Sequence, residues 1–319
     1  MTKYLAELEP PGTPGEPSPG PGPSTDTPAR GLLTITRVIL VAFVVLTAVA
    51  TYELFVQSTR TRTGFAWTIQ PPLTAAFLGA GYGAGCVLTI LTLRARTWAE
   101  ARLTVITVLV FVTLTLAATL MHLHKFHLHA AGIVPHFAAW FWLGIYVTVP
   151  VALAVAIIAQ ARRPGQDPPR DRRLPVWLAA PLALQGTVML ITGIILFADG
   201  MILFPDASSF AGSSSAGTVW PWTLTPLTAA TVGAWLIAFG AAAVLALLGR
   251  DLRRLRAAAA GYALFGLLAL VAVARFADQV RWGSPAAVSY LIVLGSVVVT
   301  GAAGWLLTAG PALRRRQEP

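Results

Sequence analysis

Charge is what this chain has least of. Asp, Glu, Lys and Arg make up 11% of its 319 residues, against about 25% in a soluble domain, and the mean hydropathy is +0.70. So little polar surface cannot keep a chain of this length in water, which points to a polytopic membrane protein. Cysteine is nearly absent: Cys86 stands alone in an apolar stretch, so no disulfide within the chain is possible and redox compartment is left open. Lysine is scarce, with Lys3 and Lys125 the only two among 23 basic residues. Together with the abundance of Ala, Gly, Pro and Arg, this is the composition of a GC-rich bacterial genome. Catalytic signatures are missing too. There is no Ser-centred elbow, no Walker-type loop and no His-Glu-x-x-His helix, which excludes an ATP-hydrolysing pump within this chain. The net charge of +10 does not mark a nucleic-acid binder, because the arginines fall in short clusters between apolar runs and form no basic face interleaved with aromatics.

What the chain does have is eight apolar runs, at 33–56, 72–94, 103–123, 137–160, 175–198, 226–249, 257–277 and 286–309. Each is close to the ~20 residues a helix needs to cross hydrocarbon. Their apolarity is continuous and not alternating, so they are helices and not barrel strands. The expected fold class is an all-α polytopic integral membrane protein with the lipid bilayer as its partner; oligomeric state is not set by the sequence. Eighteen basic residues fall on one side of this arrangement, including Arg94, Arg96, Arg102, Arg162, Arg163 and Arg250, and five fall on the other: Arg60, Arg62, Lys125, Arg275 and Arg281. The positive-inside rule then places both termini in the cytoplasm of a bacterial cell, with the protein in the cell membrane.

The eight runs form two sets of four. Trp67-Thr68-Ile69-Gln70-Pro71-Pro72-Leu73-Thr74-Ala75-Ala76 returns as Trp222-Thr223-Leu224-Thr225-Pro226-Leu227-Thr228-Ala229-Ala230, each time just before or at the start of the second run of a set. Four spans per set give both the same orientation, hence a parallel repeat. The expected organisation is a disordered, Pro-rich cytoplasmic tail over 1–30, a first four-helix repeat over 31–160, a cytoplasmic linker over 161–173, a second four-helix repeat over 174–310 and a basic cytoplasmic tail over 311–319. The tail lacks the charged start and apolar core of a cleavable signal. Within the repeated motif, Thr225 and Pro226 suit an N-cap and a first helical position, and Trp67, Trp220 and Trp222 suit anchors at the headgroup level. The glycines of Gly79-Ala80-Gly81-Tyr82-Gly83-Ala84-Gly85 form two small-xxx-small registers and predict a packing seam. Gln185 is expected to face a neighbouring helix, since a lone amide facing lipid is costly. The Ser- and Gly-rich stretch within 199–225 is expected to be a lid or a spacer.

All five histidines lie between His122 and His136. His122, His124, His127 and His129 cluster at the outer end of the third run, and either an extended or a helical backbone brings two of the imidazoles together. Imidazole is the commonest ligand for a transition metal such as Zn or Cu. Glu53, at the outer end of the first run, is an acid at membrane depth and a functional-site candidate. His122, His124, His127, His129 and Glu53 are therefore the candidate metal ligands. Other readings of the histidines stay open: a solvated polar interface, haem ligation, or proton sensing. The second set replaces them with Arg275-Phe276-Ala277-Asp278-Gln279-Val280-Arg281, where Asp199 could pair with Arg275 or Arg281.

Two stretches, Trp-Thr-x-Thr-Pro-Leu-Thr-Ala at 222–229 and His-x-x-x-Phe-His at 122–127, resemble an uncharacterised family of multi-pass membrane proteins of GC-rich bacteria, over residues 30–310. The resemblance implies no activity. The eight-helix, two-set plan is also similar to haem A synthases, which carry paired histidines in both halves; the second set here has none, so that function is not expected. Three functions remain in view. The first is a non-enzymatic membrane protein binding a metal ion or small ligand at an outward-facing His/Glu cluster, as a transporter or sensor accessory. The second is a membrane-embedded enzyme on a lipid-type substrate at the outer leaflet, with His as acid or base. The third is a structural or assembly partner.

Overall fold

A computed structural model describes residues 28–170, 172–203 and 215–314. The Pro-rich stretch 1–27, most of the Ser/Gly-rich stretch and the last five residues lie outside the described residues. The described chain is all-helical, and eight of its helices are long and apolar enough to cross a membrane. They are α1 (Thr34–Val56), α2 (Pro72–Thr92), α3 (Trp98–Met121), α4 (Ile133–Arg162), α5 (Val176–Ile202), α6 (Pro226–Gly249), α7 (Leu252–Arg275) and α8 (Pro285–Thr308). This is a polytopic all-α membrane architecture. The eight runs in the sequence mark these helices to within a few residues, except that α3 begins at Trp98 and α7 at Leu252, each a turn before its apolar run, and α4 begins four residues early at Ile133.

Successive helices run up and down, so α1, α3, α5 and α7 begin on the face where α8 ends. Backbone bridges tie this face together: Gly31 pairs with Thr97, and Arg173 with Asp251. Here too Gln160, near the end of α4, accepts the Leu33 N–H at 3.1 Å and donates to the Gly31 carbonyl at 2.9 Å, which satisfies backbone groups at the start of α1. On this face Asp251 is buried and held by Arg254 at 2.8 Å. The opposite face, called the far face below, carries the loops 57–71, 122–132 and 276–284.

The packing crosses between the sequence halves. Helix pairs α1/α2, α3/α4, α5/α6 and α7/α8 are packed hairpins, while α2 lies along α7 and α6 along α3. Small residues make the close seams, because lipid offers no hydrophobic drive between helices and close backbone approach must supply the attraction. In the α5/α6 seam a Cβ on Gly233 would come to 2.7 Å from the Gly193 carbonyl and from the Phe197 nitrogen. Gly186 and Gly240 meet one heptad further along the same seam. In α2 the predicted small-residue register is used: a Cβ on Gly79 would strike the backbone of Leu54 and Phe55, and one on Gly81 would reach the Trp235 ring at 2.9 Å. Gln185 faces its neighbours as expected, donating to Ser296 and Thr300 and accepting from Tyr262.

Several local devices occur once in each half. A π-helical turn ends α1 at Tyr52–Val56, and another spans Asp199–Leu203. A 3-10 turn follows α3 at Leu123–Lys125, and another follows α7 at Ala277–Gln279. The His127 N–H donates to the Ala66 carbonyl and the Arg281 N–H to the Pro221 carbonyl, both at 2.9 Å. The His127 ring then holds the Phe65 carbonyl, and the Arg281 guanidinium holds the Trp220 carbonyl.

The repeated Trp-Thr-Pro-Leu-Thr motif keeps one expected role and loses another. Pro226 is the first residue of its helix, and Thr225 accepts the Thr228 N–H, as an N-cap should. The tryptophans are not headgroup anchors. Trp67, Trp220 and Trp222 are all buried. Trp222 donates its indole N–H to Thr74 at 2.9 Å and packs with Phe77, Trp220 and Tyr290. The physical reason is the loop ahead of each Pro-led helix. It folds inward over the far face, so the rings fill the space between helix ends instead of reaching lipid headgroups.

Candidate functional site

The five nominated ligands do not converge. His122 caps the end of α3 and is fully buried. Its Nδ1 donates to the Ala118 carbonyl at 3.0 Å. Its Nε2 approaches the Gly200 carbonyl on the π-turn of α5 without a hydrogen bond of good geometry. Burial pushes this imidazole below the usual histidine range, and His124 and Lys125 push it the same way. The ring of His124 lies 6.2 Å from that of His122, centre to centre, and is exposed. His127 is engaged at both nitrogens: Nδ1 donates to the Phe65 carbonyl at 2.9 Å and Nε2 meets the Thr68 hydroxyl at 3.1 Å. A metal at His127 would have to displace one of these bonds. His129 is exposed. Among the described residues no three His, Cys, Asp or Glu side chains come together around a point where an ion could sit. The pair His122–His124 is what the structure assembles from the cluster; His127, His129 and Glu53 stand apart from it.

In the second half, Asp199 is buried and accepts the Ala216 N–H at 2.5 Å. Arg281 turns to the carbonyls of Gly217 and Trp220, and Arg275 to the Phe55 carbonyl at 2.5 Å, with its guanidinium over the Phe55 and Phe276 rings. These side chains stitch loops to helix ends.

Glu53 leads elsewhere. The π-turn at the end of α1 carries it, and its Oε2 lies against the backbone of Gly64, 3.2 Å from where a Cβ on that residue would be. From there it lines a cavity of about 430 Å³ that runs toward the opposite face between helices of both sequence halves. The walls are almost wholly apolar. Tyr82 and Tyr146 share a hydrogen bond of 2.6 Å on the wall. One proton lies between the two oxygens, so the other hydroxyl proton is free to be donated elsewhere. Trp235 lies tilted against Phe111 with ring centroids 3.9 Å apart, and its indole nitrogen, like the Thr107 hydroxyl, is buried with no hydrogen-bond partner. Phe65, Trp142, Phe137 and Phe141 line the same cavity. The helix pair α2 and α3 touch each other little, since each is packed on the other half, and this separation is why a cavity exists here.

Sequence reasoning reached Glu53 and passed over the cavity. Tyr82 lies inside the Gly-rich run that reads as a packing seam. A cavity built from two crossing seams has no linear signature. Comparisons with protein-family models, with curated proteins and with solved structures return no match.

Proposed function

We propose that the protein is a membrane-embedded, non-enzymatic binding protein that takes a small lipid-type molecule into the cavity between its two halves, with Glu53 at the mouth. The observation that carries this reading is the cavity itself: about 430 Å³, within the ~300–1,000 Å³ of small-molecule sites, apolar in its walls, with Tyr82, Tyr146, Thr107 and Trp235 among the residues that line it. The reading includes a duplicated origin for the halves, supported by the paired π-turns, 3-10 turns and reciprocal α2/α7 and α6/α3 packing. It also includes a bacterial cell membrane with both termini cytoplasmic, supported by the arginine clusters on the face where α8 ends. Reporter fusions after residues 130 and 165 test that orientation; periplasmic activity at 165 overturns it.

Gly85 provides the test of the cavity. Gly85 lines the cavity, and a Cβ there would meet nothing closer than 3.9 Å, at Thr47 and Trp235, so the first atom of a side chain is accepted without a clash. Mass spectrometry of the organic extract from purified protein should identify an apolar molecule that is depleted in Gly85→Leu. Equal recovery from the two proteins would sink the reading. A second reading, a metal bound by His122 and His124, is supported by the His122 Nε2, which has no hydrogen-bond partner of good geometry, and by the 6.2 Å between the two ring centres. It requires Zn or Cu to co-purify and to be lost in His124→Ala.

A further inference from the structure

Among the described residues Glu53 is not held in an ion pair, and it is the one charged side chain on the cavity wall, where no Lys, Arg or His appears. A carboxylate within a span, even at its last turn, is favoured by a partner charge. Three things can neutralise it: a proton, a metal ion, or a cationic group brought by a ligand. A hard metal ion needs several oxygen ligands and a transition metal several His, Cys or carboxylate groups. No such group of three exists among the described residues. An organic cation needs much less, namely one anion and aromatic faces, because its charge is spread and weakly hydrated.

The aromatic faces are in place. Phe65, next to the Gly64 that touches Glu53, meets Trp142 edge to face at 5.4 Å, Trp142 stacks on Tyr146 at 4.3 Å, and Phe137 stacks on Phe141 at 5.6 Å, all lining the cavity that Glu53 lines. The arginines that make cation–π contacts lie elsewhere, over Trp305, Phe55 and Phe276. Gly64 supplies the space: any side chain at that position would press on the Glu53 carboxylate. We propose that the cavity selects a lipophilic organic cation, its apolar body held between the halves and its positive centre set between Glu53 and the Phe65/Trp142 rings. This rests on the cavity reading above and adds the sign of the ligand's charge.

Tetraphenylphosphonium and tetraphenylborate are near-matched in size and opposite in charge, and they separate the two claims. Equilibrium binding of each is measured to protein in nanodiscs, with empty nanodiscs subtracted, for the wild type, Glu53→Gln, Glu53→Asp and Gly85→Leu. Thermal unfolding of each variant confirms that it is folded. The expected result is saturable binding of the cation, weaker by about tenfold or more in Glu53→Gln, as for removal of a partner charge from a poorly screened site. Glu53→Asp should keep part of the affinity, and tetraphenylborate should not compete. Equal affinity for the two ions, or an unchanged affinity for the cation in Glu53→Gln, overturns the charge selection. In that event, binding of both ions that disappears in Gly85→Leu leaves the cavity reading standing. Absence of saturable binding by either ion overturns the charge selection as well, and if no apolar molecule co-purifies the cavity reading falls with it.

Discussion

Single residues hold the far face together through backbone groups more than through charge pairs. Gln279, in the turn after α7, accepts the Leu73 N–H at the start of α2 with its side-chain oxygen at 2.9 Å, and so caps a helix of the other half. Gln279→Ala should cost about 1 kcal/mol, the usual worth of a cap, measured by thermal or denaturant unfolding in detergent. His122 makes stability depend on pH. Its pKa in the fold lies below the ordinary value, so between the two the unfolded chain binds more protons, and stability rises with pH. The contribution is complete above the ordinary histidine value and is lost as pH falls through the depressed one. His122→Phe, which copies Phe276 of the second half, should flatten unfolding midpoints between neutral and mildly acidic pH; an unchanged slope would assign the dependence to other groups. At this scale the sequence was a partial guide. It singled out the histidines because residue type is visible in one dimension. It was silent on their partners, because the Phe65 carbonyl that occupies His127 comes from a loop 62 residues away.

At the scale of elements, glycine position decides whether a helix packs or leaves room. Gly79 and Gly85 lie on the same helix with opposite demands. Gly79→Ala would push a methyl group into the backbone of α1, and overpacking of this kind costs about 1–3 kcal/mol or more. A Cβ at Gly85 makes only ordinary contacts, at 3.9 Å to Thr47 and Trp235, and Gly85→Leu removes a helix-interior glycine, which is worth up to about 1 kcal/mol in favour of the helix. Unfolding midpoints should therefore move in opposite directions for the two substitutions, and a parallel loss would mean that α2 is not seated as described. The helices themselves were legible because each span is a long apolar run whose backbone must pair internally in lipid. The helix ends were legible where a chemical signal exists, as at Thr225-Pro226. They were missed at Trp98 and Leu252 because the first turn of each carries charge, such as Glu100 or Arg253, on the face away from lipid. The tryptophans were misplaced because an amphipathic ring suits an interface and an interior equally, and only the path of the loop decides between them.

For the whole molecule, the decisive feature is that α2 and α3 find their main partners in the other half. A four-helix half alone is two hairpins tied by scattered contacts, such as those of Gln160 and Gln185, and it leaves the broad faces of α2 and α7 or of α3 and α6 uncovered. Co-expression of residues 1–168 and 169–319 as separate chains should therefore give a complex that co-purifies on a single tag, while either fragment alone should be degraded or aggregate. Independent stability of one fragment would contradict the crosswise packing. The two-set plan was readable from the recurring motif, since a repeat leaves a linear trace. The cavity was not, because its walls come from α1 to α4 and from α5 to α8 and exist only once the sets are interleaved.

The crosswise seams also put the assembly on a clock. Leu73 meets its cap Gln279 from 206 residues away, and at about 5–20 residues per second a ribosome needs roughly ten to forty seconds to span that interval. For most of it α2, the most deeply buried of the eight spans, lacks α7, its largest partner from the other half, and leaves that small-residue surface uncovered. Quality control acts in that interval, before any ligand is relevant, so substitutions on the α7-facing side of α2 should first be felt as lost yield at the translocon rather than as altered binding in the finished protein.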